Sequence, residues 1–385
     1  MCKVTEKATS NGTPPIMKCP GSNPLHRFSA LPNELITLLA PRRTPAVQAP
    51  IGNTNTSISL FTSTGFQALS NKQYISYIGK LKPDIAIGLG DVPYGTVAGK
   101  KRTAKMSDRT AKWLGELLQE RSATQVIFAP VLPIDIQDQW EYLDGLADDL
   151  AGADGLAFYD SNLLPDIPAT TALSALPRLS LDEPASPHHI LRQIDLGMDL
   201  FTIPFISFAT DAGIALDFRF PGPVTATDSS SPLPLGIDMW TPSFATSVTP
   251  LSGFCTCYAC TSHHKAFVQH LLAAKEMLGW VLIQVHNHHV LSQFFASIRD
   301  SIRGGTFDKD SETFAKAYES ELPEKTGQGP RVRGYHFKSE GPSEKKKNKA
   351  AWGNLRSDDQ TLDQGGLVPE DSATELAEKG FAEKQ

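Results

Sequence analysis

Three cysteines lie within six residues of the sequence, Cys255, Cys257 and Cys260, in the spacing Cys-x-Cys-x-x-Cys. Thiolates are soft ligands, and three of them on a tight turn can occupy three corners of a tetrahedron around Zn²⁺. A fourth ligand must then come from downstream, where the candidates are His263, His264, His270, His286, His288 and His289. Because such clustering is rare without a metal, and a closed Cys₃His set leaves no open position, we interpret the segment as a structural zinc site.

The elements around the cysteines favour His286 as the fourth ligand. The pattern predicts a helix over Ser262–Leu278 that Gly279 ends, followed by a buried strand over Trp280–Val285. His286 would then stand at a strand–helix junction that can fold back onto the cysteine turn, before a second helix that stops at Gly304-Gly305. The other histidines fit less well, since His263 and His264 follow Cys260 too closely, and His288 and His289 suit an exposed helix start.

The composition bounds what kind of protein can hold this site. With 385 residues, 40% of them hydrophobic, the chain can bury a large core, and its net charge of −6 excludes a generally basic nucleic-acid coat. The sequence has no run of about 18 apolar residues, and its polar N-terminus lacks the apolar core of a signal peptide. Five cysteines in a chain of this length do not form a disulfide framework. We therefore expect a cytoplasmic protein with no transmembrane segment.

Apolar runs alternate with amphipathic segments through the middle of the chain. Buried strands are predicted at Asp84–Leu89, Gln125–Leu132, Gly155–Tyr159, Leu176–Leu181 and Asp199–Ile203, and helices at Asn71–Lys80, Ser107–Glu120 and Gln137–Leu150. Continuous apolar runs are typical of parallel strands that are covered on both faces. The alternation predicts either a doubly wound sheet or a (β/α)₈ barrel, and periodicity alone does not choose between them.

Composition also suggests the domain boundaries. Residues 1–45 are rich in Pro, Ser, Thr and Asn, and we expect a poorly ordered or divergent segment there. Residues 46–322 have a globular pattern, which includes a zinc-binding subdomain at about 250–305. Lys, Glu, Gly, Ser and Asp dominate residues 323–385, which are predicted to form a disordered charged tail with a lysine run at Glu344–Lys349.

Several motifs together resemble the tRNA-guanine transglycosylases. The cysteine spacing followed after twenty-five residues by His286-Asn287 resembles the zinc site of that family, and Leu196–Phe201 (LGMDLF) resembles its strand before the nucleophile. Lys82–Asp91 resembles the strand with a base-binding aspartate, and Ser63–Gln67 (STGFQ) a degraded copy of the D-S-G-G-F-Q loop. The resemblance covers roughly residues 46–322. It implies a TIM-type (β/α)₈ barrel with a zinc-binding insertion near its C-terminal end. The first strands are poorly represented, so either the N-terminus is divergent or the barrel is incomplete there.

The family exchanges a base at the wobble position of tRNA. One aspartate attacks the ribose C1′ and displaces guanine, a second serves in proton transfer, and the incoming base resolves the covalent intermediate. This chain has Thr202 where the resemblance requires the nucleophile, and Thr62 where the other aspartate opens its loop. The turn after Leu-Pro-Arg also has Asp182-Glu183-Pro184 in place of glycines. Loss of one such carboxylate raises a barrier by several kcal/mol, so we expect no catalytic and no cofactor-binding residues.

Loss of the aspartates with retention of zinc is similar to the non-catalytic branch of the family. That branch implies a heterodimer with a catalytic queuine tRNA-ribosyltransferase subunit, tRNA bound through the complex, and one structural Zn²⁺ held by Cys255, Cys257, Cys260 and His286. It also implies peripheral association with the mitochondrial outer membrane. Candidate phosphate contacts are Arg42, Arg43, Lys100, Lys101, Arg102 and Lys105, although ordinary solvated surface is the plainer interpretation.

Two other functions stay open. An active transferase could use a relocated carboxylate, for which the candidates are Asp199, Asp91 and Asp211. A zinc-stabilised adaptor with no role on tRNA would fail to associate with any transglycosylase.

Overall fold

A computed structural model describes residues 15–330, apart from residues 22, 43–46, 48, 50–51, 63–64, 93–97, 149–151, 170 and 224–230. The predicted tail beyond residue 330, with its lysine run, therefore lies outside the described residues, as do Arg43 and the first two residues of the STGFQ motif. Among the described helices, none has both the length and the apolar character needed to cross a bilayer.

Parallel strands form the main sheet of the chain. The strands are β1 (Leu38–Leu39), β2 (Ser57–Thr62), β3 (Gly65–Ser70), β4 (Ile85–Ile87), β5 (Val126–Val131), β6 (Gly155–Phe158), β7 (Arg178–Ser180), β8 (Leu200–Phe201), β9 (Ile214–Leu216) and β10 (Gly236–Asp238). Six of them form one parallel sheet in the order β1-β4-β5-β6-β7-β8, which follows the chain without reversal. A doubly wound sheet reverses its order at a switch point, so this curled sheet fits a (β/α)₈-like fold instead.

Helices cover the outer face of this sheet. The α-helices are α1 (Pro24–Ser29), α2 (Asn71–Leu81), α3 (Lys100–Glu120), α4 (Trp140–Asp148), α5 (Pro187–Asp195), α6 (Phe205–Ala212), α7 (Tyr258–Ser262), α8 (Lys265–Ala273), α9 (Met277–Gly304) and α10 (Phe307–Ala317). Alternate strand residues such as Ile127 and Leu156 pack with Trp113 and Leu114 of α3. The opposite face carries the inward residues Ile87, Phe128, Ala157 and Leu179, which form a separate apolar cluster. Successive strands thus contribute alternately to an inner and an outer core, as in a barrel wall.

The five predicted strands are confirmed, each shorter by one to three residues than its apolar run. The sheet, however, begins earlier than expected, because Leu38–Leu39 pairs with Ile85–Ala86 as an edge strand. Residues 1–45 are therefore not poorly ordered throughout. Only two residues of this strand pair, and so short an apolar run gives little signal in the sequence. Helix α3 also begins earlier, at Lys100, because Ser107 is buried inside the helix and does not cap it.

The largest error of the sequence interpretation concerns α9. The pattern predicts a helix that ends at Gly279 and a strand over residues 280–285. The structure instead has one helix of 28 residues, α9, that contains Gly279 and residues 280–285. Its buried positions, which include Trp280, Ile283, Val290 and Phe294, recur at helical spacing. A Cβ atom on Gly279 would lie 3.2 Å from side-chain atoms of Leu271 and Leu272. The glycine therefore allows α8 to approach closely and does not end a helix.

Candidate metal centre and strand-end site

The structure brings the four predicted zinc ligands together. The cysteine sulfurs and a histidine nitrogen of Cys255, Cys257, Cys260 and His286 all lie within 4.8 Å of one another. Cys257 precedes the short helix α7 and Cys260 lies on its first turn, where the Cys260 N–H donates to the Cys257 carbonyl at 3.1 Å. Folding of the cysteine turn therefore points the sulfurs toward the middle of α9. Contrary to the prediction, His286 lies inside that helix and not at a strand–helix junction.

The imidazole of His286 has a defined orientation. Its Nδ1 lies 3.6 Å from the Cys257 sulfur and 3.3 Å from the Cys260 sulfur, and its Nε2 lies 2.8 Å from the Leu216 carbonyl oxygen. A carbonyl oxygen only accepts, so Nε2 must carry a hydrogen, and this leaves Nδ1 as the nitrogen that can bind a metal. Tetrahedral Zn–S and Zn–N bonds place the two ligand atoms about 3.5 Å apart. The observed separations fit that value, so the four residues could hold a tetrahedral metal ion.

The electrostatics of the cluster favour a cation. Burial raises the pKa of the Cys255 thiol. Burial also acts to raise the pKa of Cys257, but hydrogen bonds from His286 and the Cys260 backbone N–H outweigh it and lower that pKa to about 6. Burial acts to lower the pKa of His286, yet its interactions with the three cysteine sulfurs outweigh burial and raise that pKa to about 12. Thiolate sulfurs in this pocket thus require a neighbouring positive charge. A bound metal ion would supply that charge and displace the protons.

The remaining histidine candidates lie outside the cluster. His264 Nδ1 accepts from the Phe267 N–H at the start of α8, and the His263 ring stacks on Phe267. His288 lies beside Gln284 on the exposed side of α9, whereas His270 is exposed near the end of α8. None of these residues belongs to the cluster of four.

Asn287 is a second buried residue of the site, and sequence reasoning gave it no role. Its Oδ1 accepts from the Leu216 N–H at 2.9 Å, and its Nδ2 donates to the Ile214 carbonyl and to Thr210 Oγ1, both at 3.0 Å. Together with His286, it therefore satisfies both backbone groups of Leu216 on strand β9. In the sequence, only the adjacent His-Asn pair points to this role of Asn287. The role becomes evident once the structure places β9 beside α9.

At the carboxyl end of the parallel sheet, Asp91 follows strand β4 and is fully buried. Its Oδ1 accepts from Asn53 Nδ2 at 2.7 Å and from Arg102 at 2.5 Å, and its Oδ2 accepts from Arg109 at 3.0 Å. Arg109 also bonds the Asn53 carbonyl and the Asn55 side chain, which ties α3 to the segment before the β2–β3 hairpin. Both carboxylate oxygens are therefore used within the protein.

The two threonines lie at element ends. Thr202 follows β8 and is half-buried; its backbone N–H and its hydroxyl both donate to the Ser180 carbonyl, at 3.1 and 3.2 Å. Thr62 ends β2, where it pairs with Gly65 across the hairpin. In the turn that lacks glycines, the Asp182 carboxylate accepts from the Ser161 hydroxyl at 2.7 Å. Of these residues, Thr202 and Asp182 have their polar groups bonded to neighbouring strand ends.

Helix α9 presents an apolar stripe on the side opposite the metal ligands. Met277, Leu278, Val281 and Val285 are between 41% and 56% exposed, and their spacing places them on one side of the helix. We call these four residues the apolar stripe. Large contiguous apolar surfaces are common at sites of protein association.

Comparisons with known proteins agree with the resemblance in the sequence. Residues 15–320 match the family described as Queuine tRNA-ribosyltransferase. The chain is 38% identical over 346 residues to queuine tRNA-ribosyltransferase accessory subunit 2 of Schizosaccharomyces pombe, an alignment that covers 86% of this chain and 75% of the relative. It is 29% identical over 296 residues to the protein of the same name from Drosophila persimilis, with 72% of this chain and 69% of the relative covered.

The bonds of Asn287 generate a prediction. Asn287→Leu keeps the volume but leaves the Leu216 N–H, the Ile214 carbonyl and the Thr210 hydroxyl without a partner. We expect the free energy of unfolding to fall by about 3 kcal/mol, as measured by urea denaturation. The metal content should stay at the wild-type level, because no ligand is removed. A variant as stable as the wild type would show that Asn287 does not hold β9.

Proposed function

Since the chain belongs to the queuine tRNA-ribosyltransferase family, we propose that it is the non-catalytic subunit of a heterodimeric queuine tRNA-ribosyltransferase. It would support the exchange of guanine for queuine at the wobble position of tRNA without performing the chemistry. The relatives named accessory subunit 2 support this role. A cytoplasmic location stays a prediction from the composition, and peripheral attachment to the mitochondrial outer membrane stays one of the family resemblance.

The observation that carries the proposal is that both carboxylate oxygens of Asp91 are bonded within the protein. The resemblance assigns this residue to base binding, but Arg102, Arg109 and Asn53 already occupy its two oxygens. A bound base would have to displace two ion pairs that share the fully buried Asp91 carboxylate, and a buried charge that loses a partner costs several kcal/mol. Thr202 offers a hydroxyl that already donates to a backbone carbonyl and has no carboxylate. This arrangement supports a subunit that neither binds the base nor attacks the ribose.

A relocated carboxylate receives less support from the geometry. Asp199 precedes β8 and its Oδ2 accepts from the Arg178 N–H at 2.9 Å, so it lies at the amino end of the strands. Active sites of barrels of this type lie at the carboxyl ends. Asp91 lies at the correct end, but its oxygens are occupied. The remaining alternative is an adaptor with no role on tRNA. Pairing of the chain with a catalytic subunit would favour the proposal, and failure to pair would favour the adaptor.

We further propose that the metal is one structural Zn²⁺ per chain, bound by Cys255, Cys257, Cys260 and His286. Three thiolates and one imidazole are the donor set that zinc prefers, and the four protein ligands leave no open position. The Leu216 carbonyl would fix the orientation of His286, as outer partners of zinc-bound histidines usually do. The zinc-binding subdomain would then be built from β9, β10 and α7–α9, of which α7–α9 lie within the predicted range of about 250–305 and the two strands precede it.

The zinc proposal predicts the effect of Cys257→Ala. Loss of one ligand should reduce the zinc content from about one ion per chain to a small fraction, since the tetrahedral set is then incomplete. The region after Pro250 should lose protection from proteolysis at the same time. Elemental analysis and limited proteolysis measure the two effects. Cys19→Ala serves as the control, because Cys19 lies outside the cluster. Full zinc in Cys257→Ala would contradict the assignment.

A further prediction concerns catalysis. The purified chain alone should show no exchange of labelled guanine above background and no covalent tRNA adduct, whereas a mixture with the catalytic subunit should be active. Thr202→Asp should not make the chain active, because it places a carboxylate against the Ser180 carbonyl and leaves Asp91 occupied. Residues that act as a unit recover little when only one is repaired. Exchange by the isolated wild-type chain would overturn the proposal and favour the relocated carboxylate.

Another prediction concerns the heterodimer. We propose that the apolar stripe of α9 contacts the catalytic subunit. Val281→Asp places an unpaired charge at the centre of the stripe and should weaken binding of the catalytic subunit by about 30-fold or more. Isothermal titration calorimetry measures the affinity. Gln293→Asp is the matched control, since it adds the same charge at an exposed position on another side of α9. Equal affinities of the two variants would place the contact elsewhere.

A further inference from the structure

The last residues that the structure describes, 320–330, form neither helix nor strand. They follow α10, and the chain is anchored just after that helix because the Glu319 N–H donates to the Leu233 carbonyl at 2.9 Å. The segment then passes the C-terminal ends of β10 and α6. We call residues 320–330 the strap.

The backbone of the strap lies directly on the indole ring of Trp240. A Cβ atom on Gly327 would overlap several atoms of that ring, so only glycine allows so close an approach. Gly327 has no positive φ, and its backbone conformation by itself would accept an alanine. The glycine is therefore required by the contact with the ring and not by the path of the chain.

Few other contacts attach the strap. The Thr326 hydroxyl donates to Asp238 Oδ2, and this is the one hydrogen bond that the described residues give to residues 320–330. Leu322 packs on the apolar cluster that β9 shares with α10. At the far end, a Cβ atom on Gly329 would lie 3.1 Å from the Asp211 carbonyl oxygen. Segments with few buried apolar contacts and few hydrogen bonds open at a small free-energy cost.

The surface beneath the strap is held in shape from behind. Trp240 Nε1 donates to the Ala212 carbonyl at 3.0 Å, and the Trp240 N–H donates to Asp238 Oδ1 at 3.0 Å. The ring also packs beside Trp280, at 6.3 Å between centroids, in the apolar cluster around the cysteine turn. None of these contacts involves the strap. The indole and the carboxylate therefore form a groove that does not need the strap to keep its shape.

We propose that the strap is a latch, which closes over the groove of Trp240 and Asp238 and opens while the rest of the fold stays intact. In the closed state the strap itself occupies the groove, as an extended peptide with a hydroxyl residue followed by glycine. In the open state the indole face and the Asp238 carboxylate become accessible. Opening also frees eleven residues, which span about 36 Å when extended. This latch is independent of the proposed function.

The test compares Gly327→Ala with its matched control, Gln328→Ala, in the full chain. Alanine at position 327 places a Cβ atom against the Trp240 ring, whereas Gln328 is an exposed residue of the same strap. Tryptic cleavage after Lys325 under native conditions measures opening, because the protease cuts the open segment. Synthetic peptides of residues 320–330 with the same substitutions give the cleavage rate of a fully open strap. Urea unfolding of each chain gives its global stability.

We expect the wild-type strap to be cleaved about a hundredfold more slowly than its peptide. Gly327→Ala should be cleaved about tenfold or more faster than the wild type, and Gln328→Ala should stay within about twofold of it. Thr326→Val keeps the shape but removes the hydrogen bond to Asp238, so its cleavage should be faster by about threefold to tenfold. The urea midpoints of all these chains should be equal.

Three results would overturn the latch. The first is cleavage of Gly327→Ala at the wild-type rate, which would show that the ring contact does not hold the strap. The second is cleavage of the wild type as fast as the peptide, because the strap would then not be closed. The third is wild-type cleavage only at the rate of global unfolding, or a lower urea midpoint in Gly327→Ala. Either would make the strap part of the cooperative fold.

Discussion

The open edge of strand β9 is the constraint on which the second half of the structure depends. Among the described residues, this strand of three residues pairs with β10 on one side only, so without other partners the backbone groups on its second side would be buried and unbonded. His286 and Asn287 of α9 supply those partners by bonding the carbonyl and the N–H of Leu216. The hydrogen bond from His286 Nε2 to the Leu216 carbonyl also orients Nδ1 of the same ring toward the cysteines. Strand, helix and cysteine turn are therefore linked through one imidazole and one amide.

At the end of the parallel sheet, a single carboxylate has an equally central position. Asp91 lies where a barrel of this type binds its substrate, but it bonds two arginines of α3 and the side chain of Asn53. Retention of an acidic residue at a strand end is thus compatible with loss of ligand binding. A buried charge must be paired, and in this chain the pairing joins α3 to the segment that precedes the β2–β3 hairpin. Function cannot be assigned from the presence of the residue alone.

Sequence reasoning worked where the chemistry of single residues or the burial of whole segments decides the outcome. The parallel strands were predictable because apolar runs such as residues 125–132 are buried on both faces. The cysteine cluster was predictable because three thiols so close together have few other uses. The strand predicted at 280–285 was wrong because five apolar residues in a run of six satisfy either period when they are taken alone. Contacts with β9 and α8 select the helix, and the contacts with β9 join residues about 70 positions apart. The partners of Asp91 were not predictable for the same reason.

The two sides of α9 connect the metal site to the surface. His286 and Asn287 face inward to the cysteines and to β9, whereas Val281 and Val285 face outward. Position and rotation of a helix are fixed by what it buries, and here the buried side includes a metal ligand together with a clamp on a strand edge. If the four residues hold a metal ion, its release would leave them without that ion in a largely buried pocket, and α9 would have to shift or unwind locally to hydrate them. The outward apolar side would then lose its defined shape, although none of its residues touches the metal. A structural metal could in this way determine whether the outward side of α9 keeps its shape, which gives the chain a physical reason to keep all four candidate ligands.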